Sequence, residues 1–407
     1  MGKALSGHAS RRAFLAATVA GFGAAATGCA VDTQAPAIRN LGHAPVRATI
    51  RVWADPVRAQ PLAQLGQQCQ QQRGIAVDVE SMDSQQIAQQ LLTGEPQDHP
   101  DLAVVGHDWL AELIAAQRVS PMAGRNQELL PPAQQAFDDD EHTYGLALDL
   151  ESLALIRNDA LTDAQPETWD ALLESHPASP VLIPQQQPGD PYHLYPFQGS
   201  FGAPVLNWET RELSADQFLG ADYFSWLAAN GSLGNGILAV SPGPEEALEA
   251  FLAGEAPFLL TGPWHLRAIR EALSVSVLPI PAAGPVPATP FVGVRGVVLP
   301  AASTQPDMAQ EFCVNYVDTE PGLLAIQAAT GRVPATSAAA DLASADDPIA
   351  AGLREAAATG VLLPPQSDMN IVVPHWAMTQ ADVISGTASD PAAAWITMID
   401  RWVMALG

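Results

Sequence analysis

Between residues 48 and 116 the apolar pattern switches repeatedly between a period of two and a period near 3.6, and this alternation constrains the fold most. Residues 48–53 (ATIRVW) form a β-type run. Residues 61–72 are helix-like, with Leu62 and Leu65 on one face and Gly74 as the stop. Residues 75–80 (IAVDVE) alternate as a strand, and Ser84 opens a helix that runs to 92. A compact apolar strand follows at 101–105 (DLAVV), then a helix at 109–116. Strand, helix and strand at this spacing predict a parallel sheet covered on both faces. A second α/β region begins with residues 144–156 (YGLALDLESLALI). It contains helix-like stretches at 167–174, 215–230 and 244–253, and a strand-like one at 256–260. After a Pro-rich connection at 279–290, residues 291–299 (FVGVRGVVL) read as strand, and 306–318, 341–363 and 390–406 as helix. A chain of 407 residues is too long for one core, so two domains are expected.

The first 28 residues read as an export leader and not as fold. Ser10-Arg11-Arg12-Ala13-Phe14-Leu15 is similar to the twin-arginine consensus, and the apolar stretch after it is shorter than the ~20 strongly apolar residues of a bilayer span. Ala26-Thr27-Gly28-Cys29 resembles a lipobox, with Cys29 as the acylated thiol and Ala26 where Leu is usual. The alternative is a twin-arginine leader with simple cleavage and an incidental cysteine. Residues 29–46 are Pro- and Ala-rich and read as a flexible tether reaching roughly 20–25 Å. The expected place of the protein is the outer face of the cell membrane, held there only by lipid on Cys29.

With 18 basic and 44 acidic residues the chain carries a formal charge of −26. Such a surface repels nucleic acid and anionic headgroups. Lys3, inside the leader, is the only lysine, which removes Schiff-base and phosphate-loop chemistry from the exported part. The nine histidines lack metal spacing, and neither G-x-S-x-G nor H-E-x-x-H occurs, so no metal or cofactor is implied. Cys69 and Cys313 are either a disulfide or two buried thiols.

Several short signatures fall in one order along the chain. They are Val52-Trp53-Ala54-Asp55, Pro100-Asp101-Leu102-Ala103-Val104 followed by His107-Asp108-Trp109, and Tyr144-Gly145-Leu146-Ala147 with Glu151, Leu155 and Asn158. Pro166-Glu167-Thr168-Trp169, Phe251–Ala256 running into Gly262-Pro263-Trp264, and Gly331-Arg332-Val333-Pro334-Ala335 complete the series. Together they resemble the extracellular solute-binding proteins of ABC importers, of the maltose/oligosaccharide type. That resemblance implies an α/β, two-lobe periplasmic-binding-protein-like fold of type II, with a hinge and an interlobe ligand cleft. The expected lobes are 47–150 plus 291–335 and 151–290 plus 336–407. A monomer handing a sugar-type solute to ABC permease subunits is the implied role.

Sugars are gripped by aromatic faces and by planar acids, amides or arginines on loops beyond strand ends. The resemblance points to Asp55 and Arg58 after the first strand, to Asp108 after the third, and to Trp109, which stands where a basic residue is usual. Asp149 and Glu151 lie two apart on a strand-like run and so share a face, and two carboxylates in an apolar crossing segment are costly without partners. Asp190-Pro191-Tyr192 is similar to the family's acid–Pro–Tyr motif, and Trp264 and Trp376 match stacking tryptophans. Arg295 departs from a usually small apolar position and would suit a carboxylate or phosphate, or else a lobe-bridging ion pair. Rival readings are a glycerophosphodiester receptor, a glycosidase pairing Asp149 with Glu151 or Asp190, and a sensor or adhesin ectodomain.

Overall fold

The computed structural model describes residues 45–406 apart from 124–126, 140, 177–179, 186–188, 205, 208–211, 214–216 and 240–241. The leader, Cys29 and nearly all of the tether lie outside the described residues.

Strand β1 (Ala48–Ala54) delivers the chain to Asp55, whose carboxylate accepts from the Arg58 amide and caps helix α1 (Pro56–Arg73). With Pro56 at the first helical position, α1 begins five residues before the start expected from periodicity alone. Leu62, Leu65 and Cys69 fall on its buried face. Strand β2 (Ile75–Ser81), helix α2 (Ser84–Thr93), strand β3 (Leu102–Gly106) and helix α3 (Leu110–Ala115) follow in the expected order.

The chain then runs through β4 (Gly145–Ser152) and, one residue later, β5 (Ala154–Asn158), which belong to different sheets. The small sheet has the order β8 (Val275–Leu278), β5, β7 (Phe258–Thr261), β6 (Val181–Leu182). The large sheet is β10 (Val333–Pro334), β4, β9 (Phe291–Pro300), β3, β1, β2, extended beside β9 by the short strands Val119–Ser120 and Val361–Leu362. Only β2, β1 and β3 pair as the parallel sheet the early pattern predicts, because β9 enters antiparallel between β3 and β4. The β4–β9 ladder shifts register between Arg295 and Gly296: Asp149 faces Arg295, but Ala147 faces Gly296.

Helix α4 (Pro191–Ser200) is capped by Asp190 and buried on nearly every side, and α5 (Pro263–Ala272) follows β7 directly. Helix α6 (Glu320–Thr330) leads into β10. The stretch read as one helix over 341–363 is two, Ser337–Ser344 and Pro348–Ala358, because Asp347-Pro348 starts a new capped helix. Two long helices close the chain, α7 (Gln366–Ser385) and α8 (Pro391–Leu406). Cys69 and Cys313 are not joined as a disulfide and are buried in one apolar cluster beneath α1, and burial pushes the Cys69 thiol up to about 11. No helix among the described residues is long and apolar enough to cross a membrane.

Candidate functional site

Several of the charged side chains singled out in the sequence gather where β1, β4 and β9 end or pass. Arg58, one turn into α1, makes a bidentate contact to Asp149 of β4, Nε to Oδ2 at 2.9 Å and Nη2 to Oδ1 at 2.5 Å. Its Nη1 reaches Asp55 Oδ2 at 2.9 Å. All three residues are buried, with exposures of 2%, 1% and 5% for Arg58, Asp149 and Asp55. Desolvation lowers the Arg58 pKa, but the two carboxylates outweigh it and hold the guanidinium more firmly charged than usual. Asp55, Arg58 and Asp149, expected to face the solute, are instead a saturated ionic triad inside the protein. It joins the first turn of α1 to β4.

Glu151, two residues on, sits between two arginines. Arg332, in the loop between α6 and β10, donates from Nε to Oε2 at 2.5 Å. Arg295 of β9 holds its Nη2 3.6 Å from Oε1, too far for a direct hydrogen bond. Burial raises the Glu151 pKa, yet Arg332, then Arg295 and Arg58, more than reverse that and bring it down to about 2. Sequence reasoning quoted Arg332 within the loop signature but did not place it in the site. The available signal was a lone arginine in an otherwise apolar run.

Asp108 stands in a short turn after β3, beside Arg295. Both crowd the bare Cα of Gly106, where a Cβ would fall 2.1 Å from Asp108 Oδ1 and 2.8 Å from Arg295 Nη1. Glycine at 106 therefore allows both side chains to reach the same place. Trp109 is half-buried and packs on the core that includes α3. His107 is fixed between elements: its Nδ1 accepts from the Val294 amide at 3.1 Å and its Nε2 lies 2.9 Å from the Leu363 carbonyl, so the neutral Nε2-protonated tautomer satisfies both.

The aromatic side of the site comes from α4 and α5. Asp190 Oδ1 caps α4 by accepting from the Tyr192 and His193 amides, and its Oδ2 meets His193 Nδ1 at 2.9 Å. Asp190 is thus engaged in holding the helix that presents Tyr192. The Tyr192 hydroxyl is pushed up first by burial and then by Glu151, with Arg295 and Arg332 acting in the opposite direction. Its ring stands 6.4 Å from Trp264 and stacks on Phe291 at 6.5 Å. Trp264 folds back over Gly262, where a Cβ would lie 2.2 Å from the indole, and remains 37% exposed. Trp376 is fully buried, with its Nε1 donating to Gln198 at 3.1 Å and its ring edge-on to Tyr195 and Trp402. It belongs to the core against α8, and the position expected for a stacking residue is structural.

Glu151, Arg295, Arg332 and Tyr192 interact with one another, Trp264 stands against Tyr192 and Asp108 beside Arg295, so donors, acceptors and ring faces gather in one region. Among the described residues no group of His, Cys, Asp or Glu is arranged to hold a metal ion. A loosely spaced guanidinium–carboxylate pair suits a hydroxyl, which can accept from the one and donate to the other in a single position.

A family model described as bacterial extracellular solute-binding protein matches residues 64–352. A maltotriose-binding protein of Pyrococcus abyssi (strain GE5 / Orsay) is 24% identical over 321 residues, covering 74% of this chain and 68% of that protein. The structure of a Thermus thermophilus maltotriose-binding protein bound with maltotriose is similar, with TM-score 0.72, 25% identity and coverage of 88% of this chain and 100% of that one. A cyclo/maltodextrin-binding protein complexed with maltotetraose aligns with TM-score 0.76 at 21% identity, covering 89% and 97%. The two sheets and their helices have the architecture of the maltose-binding-like periplasmic proteins. With the family model running from α1 into the helix Pro348–Ala358, the chain belongs to the bacterial extracellular solute-binding proteins.

Proposed function

We propose that this chain is the receptor of an ABC importer and that its solute is a neutral di- or oligosaccharide held between Glu151, Arg295, Arg332, Tyr192 and Trp264. The single observation that carries the sugar assignment is the 3.6 Å gap between Arg295 and Glu151, which act on the Tyr192 hydroxyl whose ring stands 6.4 Å from the partly exposed Trp264 indole. A pyranose can bridge that gap with a hydroxyl while laying a C–H face on Trp264. The names of the relatives, which bind maltotriose and maltodextrins, support the same class. The carboxylates Glu151, Asp108 and Asp190 around Arg295 and Arg332 weigh against a phosphodiester.

The same ion pairs argue against a hydrolase. Asp149 is fully engaged by Arg58, and a carboxyl that ionises near 2 carries no proton to donate at neutral pH. In the receptor reading, two lobes divided as 47–150 plus 291–335 and 151–290 plus 336–407 close on the solute. Cys29 carries lipid that keeps the monomer outside the cell membrane, within reach of the permease. Thermal unfolding and calorimetric titration against glucose, maltose, maltotriose, trehalose and glycerophosphodiesters test the assignment. One sugar should raise the melting temperature by several degrees, as mass action requires of a ligand that binds only the folded state. A shift with the phosphodiesters alone would overturn it.

A further inference from the structure

We propose that the solute is a glycoside carrying an apolar aglycone, and that the aglycone lies in a cavity opening beside Asp108. This rests on the sugar-receptor reading and adds the other half of the ligand. The cavity has a volume of about 880 Å³, within the size range of pockets that hold small organic ligands, and its walls include Leu110, Ala111, Ile114, Pro131, Leu362 and Pro365.

It adjoins the sugar site through two residues. Asp108 lines it and stands beside Arg295 at Gly106. Val361 lines it too, and pairs in register with Phe291, the ring on which Tyr192 stacks. Its chemistry differs from that of a sugar subsite. The lining contains no Trp, Tyr or Phe, so no flat ring is offered to a pyranose. His107 at its inner end has both ring nitrogens engaged by Val294 and Leu363, and Asp139 at its edge accepts from the amides of Glu141 and His142. Asp108, Gln135 and Asp138 add polar groups along one part of the wall, and the larger part of the surface facing the space is aliphatic. Prolines 131, 132, 364 and 365 stiffen the walls, so the cavity is formed before an occupant arrives. An alkyl or compact aryl substituent on the sugar held by Glu151 and Arg295 fits this arrangement.

The test is calorimetric titration of the purified protein, below micellar concentrations, with glucose, maltose, octyl glucoside, octyl maltoside and octylphosphocholine. Each buried methylene is worth about fourfold in affinity, so an octyl glycoside should bind at least tenfold more tightly than its parent sugar. Ala111→Trp, which fills the cavity from an exposed position on α3, and Ile114→Asp, which makes its wall polar, should each abolish that gain and leave the parent sugar's affinity unchanged. Equal affinity for sugar and octyl glycoside, with the sugar binding, overturns the aglycone site and leaves the sugar receptor standing. Octylphosphocholine binding as tightly as the glycosides overturns it in the other direction, as an apolar cavity indifferent to the sugar. If no sugar or glycoside binds, the receptor reading falls and takes this proposal with it.

Discussion

Trp264 and Trp376 share a residue type and an expected role, yet their surroundings give them opposite consequences. Trp264 leans on Gly262 and Tyr192 with more than a third of its surface open, so its removal loses less packing than removal of a fully enclosed ring. Trp264→Ala should cost about 1–2 kcal/mol of unfolding free energy while weakening sugar binding roughly tenfold, the worth of one aromatic face. Trp376 fills the junction of Tyr195, Trp402 and Gln198 with no exposed surface. Trp376→Ala should cost about 3–5 kcal/mol, read from urea unfolding, because it opens a cavity and leaves a buried amide oxygen without its donor. Unchanged sugar affinity in Trp264→Ala would show that Trp264 has no part in the site.

At the level of elements, β4 and β9 set the geometry of the site. The register shift at Arg295 places that side chain opposite Asp149 while Gly293 stands opposite Glu151, so the arginine and the glutamate meet diagonally across the ladder. The turn after β3 adds Asp108 to the same corner, which is possible only because residue 106 has no Cβ. Gly106→Ala is predicted to separate function from stability. The added methyl collides with the ends of Asp108 and Arg295, which can swing away, and not with backbone. The melting temperature should therefore fall by only a few degrees, while affinity drops about tenfold as both side chains leave their places. Sugar titration of the folded variant checks this, and unchanged affinity would remove Asp108 and Arg295 from the site. Helix α4, which presents Tyr192, was not evident in the sequence for a physical reason. It is buried on nearly every side, so it has no polar stripe, and Pro196 interrupts its interior. Only Asp190-Pro191, a cap followed by proline at the first helical position, marked its start.

Across the whole molecule, two buried groups tie stability to pH. Burial, reinforced by Arg295 and opposed by Asp108, holds His107 below its usual pKa, so its contribution is full above about 6.5 and declines as the pH falls below that. Glu151 ionises near 2 in the folded protein and near 4.5 when unfolded, so its contribution is present above 4.5 and disappears between 4.5 and 2. That second loss amounts to about 3 kcal/mol. Urea unfolding between pH 8 and 3 should show stability falling in two windows. Glu151→Gln should flatten the lower one and His107→Gln the upper. An unchanged profile in Glu151→Gln would mean that Arg332 and Arg295 do not hold the carboxylate as described.

By itself the sequence determined what depends on neighbours along the chain. Alternating periods specified the β1, β2 and β3 core, since strand and helix each impose their own repeat on apolar residues. Caps such as Asp55-Pro56 placed helix starts, and the ordered short motifs placed the chain among solute-binding proteins. Tertiary structure alone decided which charges meet. Arg332 reaches Glu151 across 181 residues and Arg58 reaches Asp149 across 91, and both contacts depend on strand order and register that no local pattern encodes. The same long-range pairing buried Asp55, Arg58 and Asp149 and left Trp264 partly exposed and Arg295 at 3.6 Å from Glu151. A charge in a folded protein is buried or offered according to its partners, and partners are a property of three-dimensional packing.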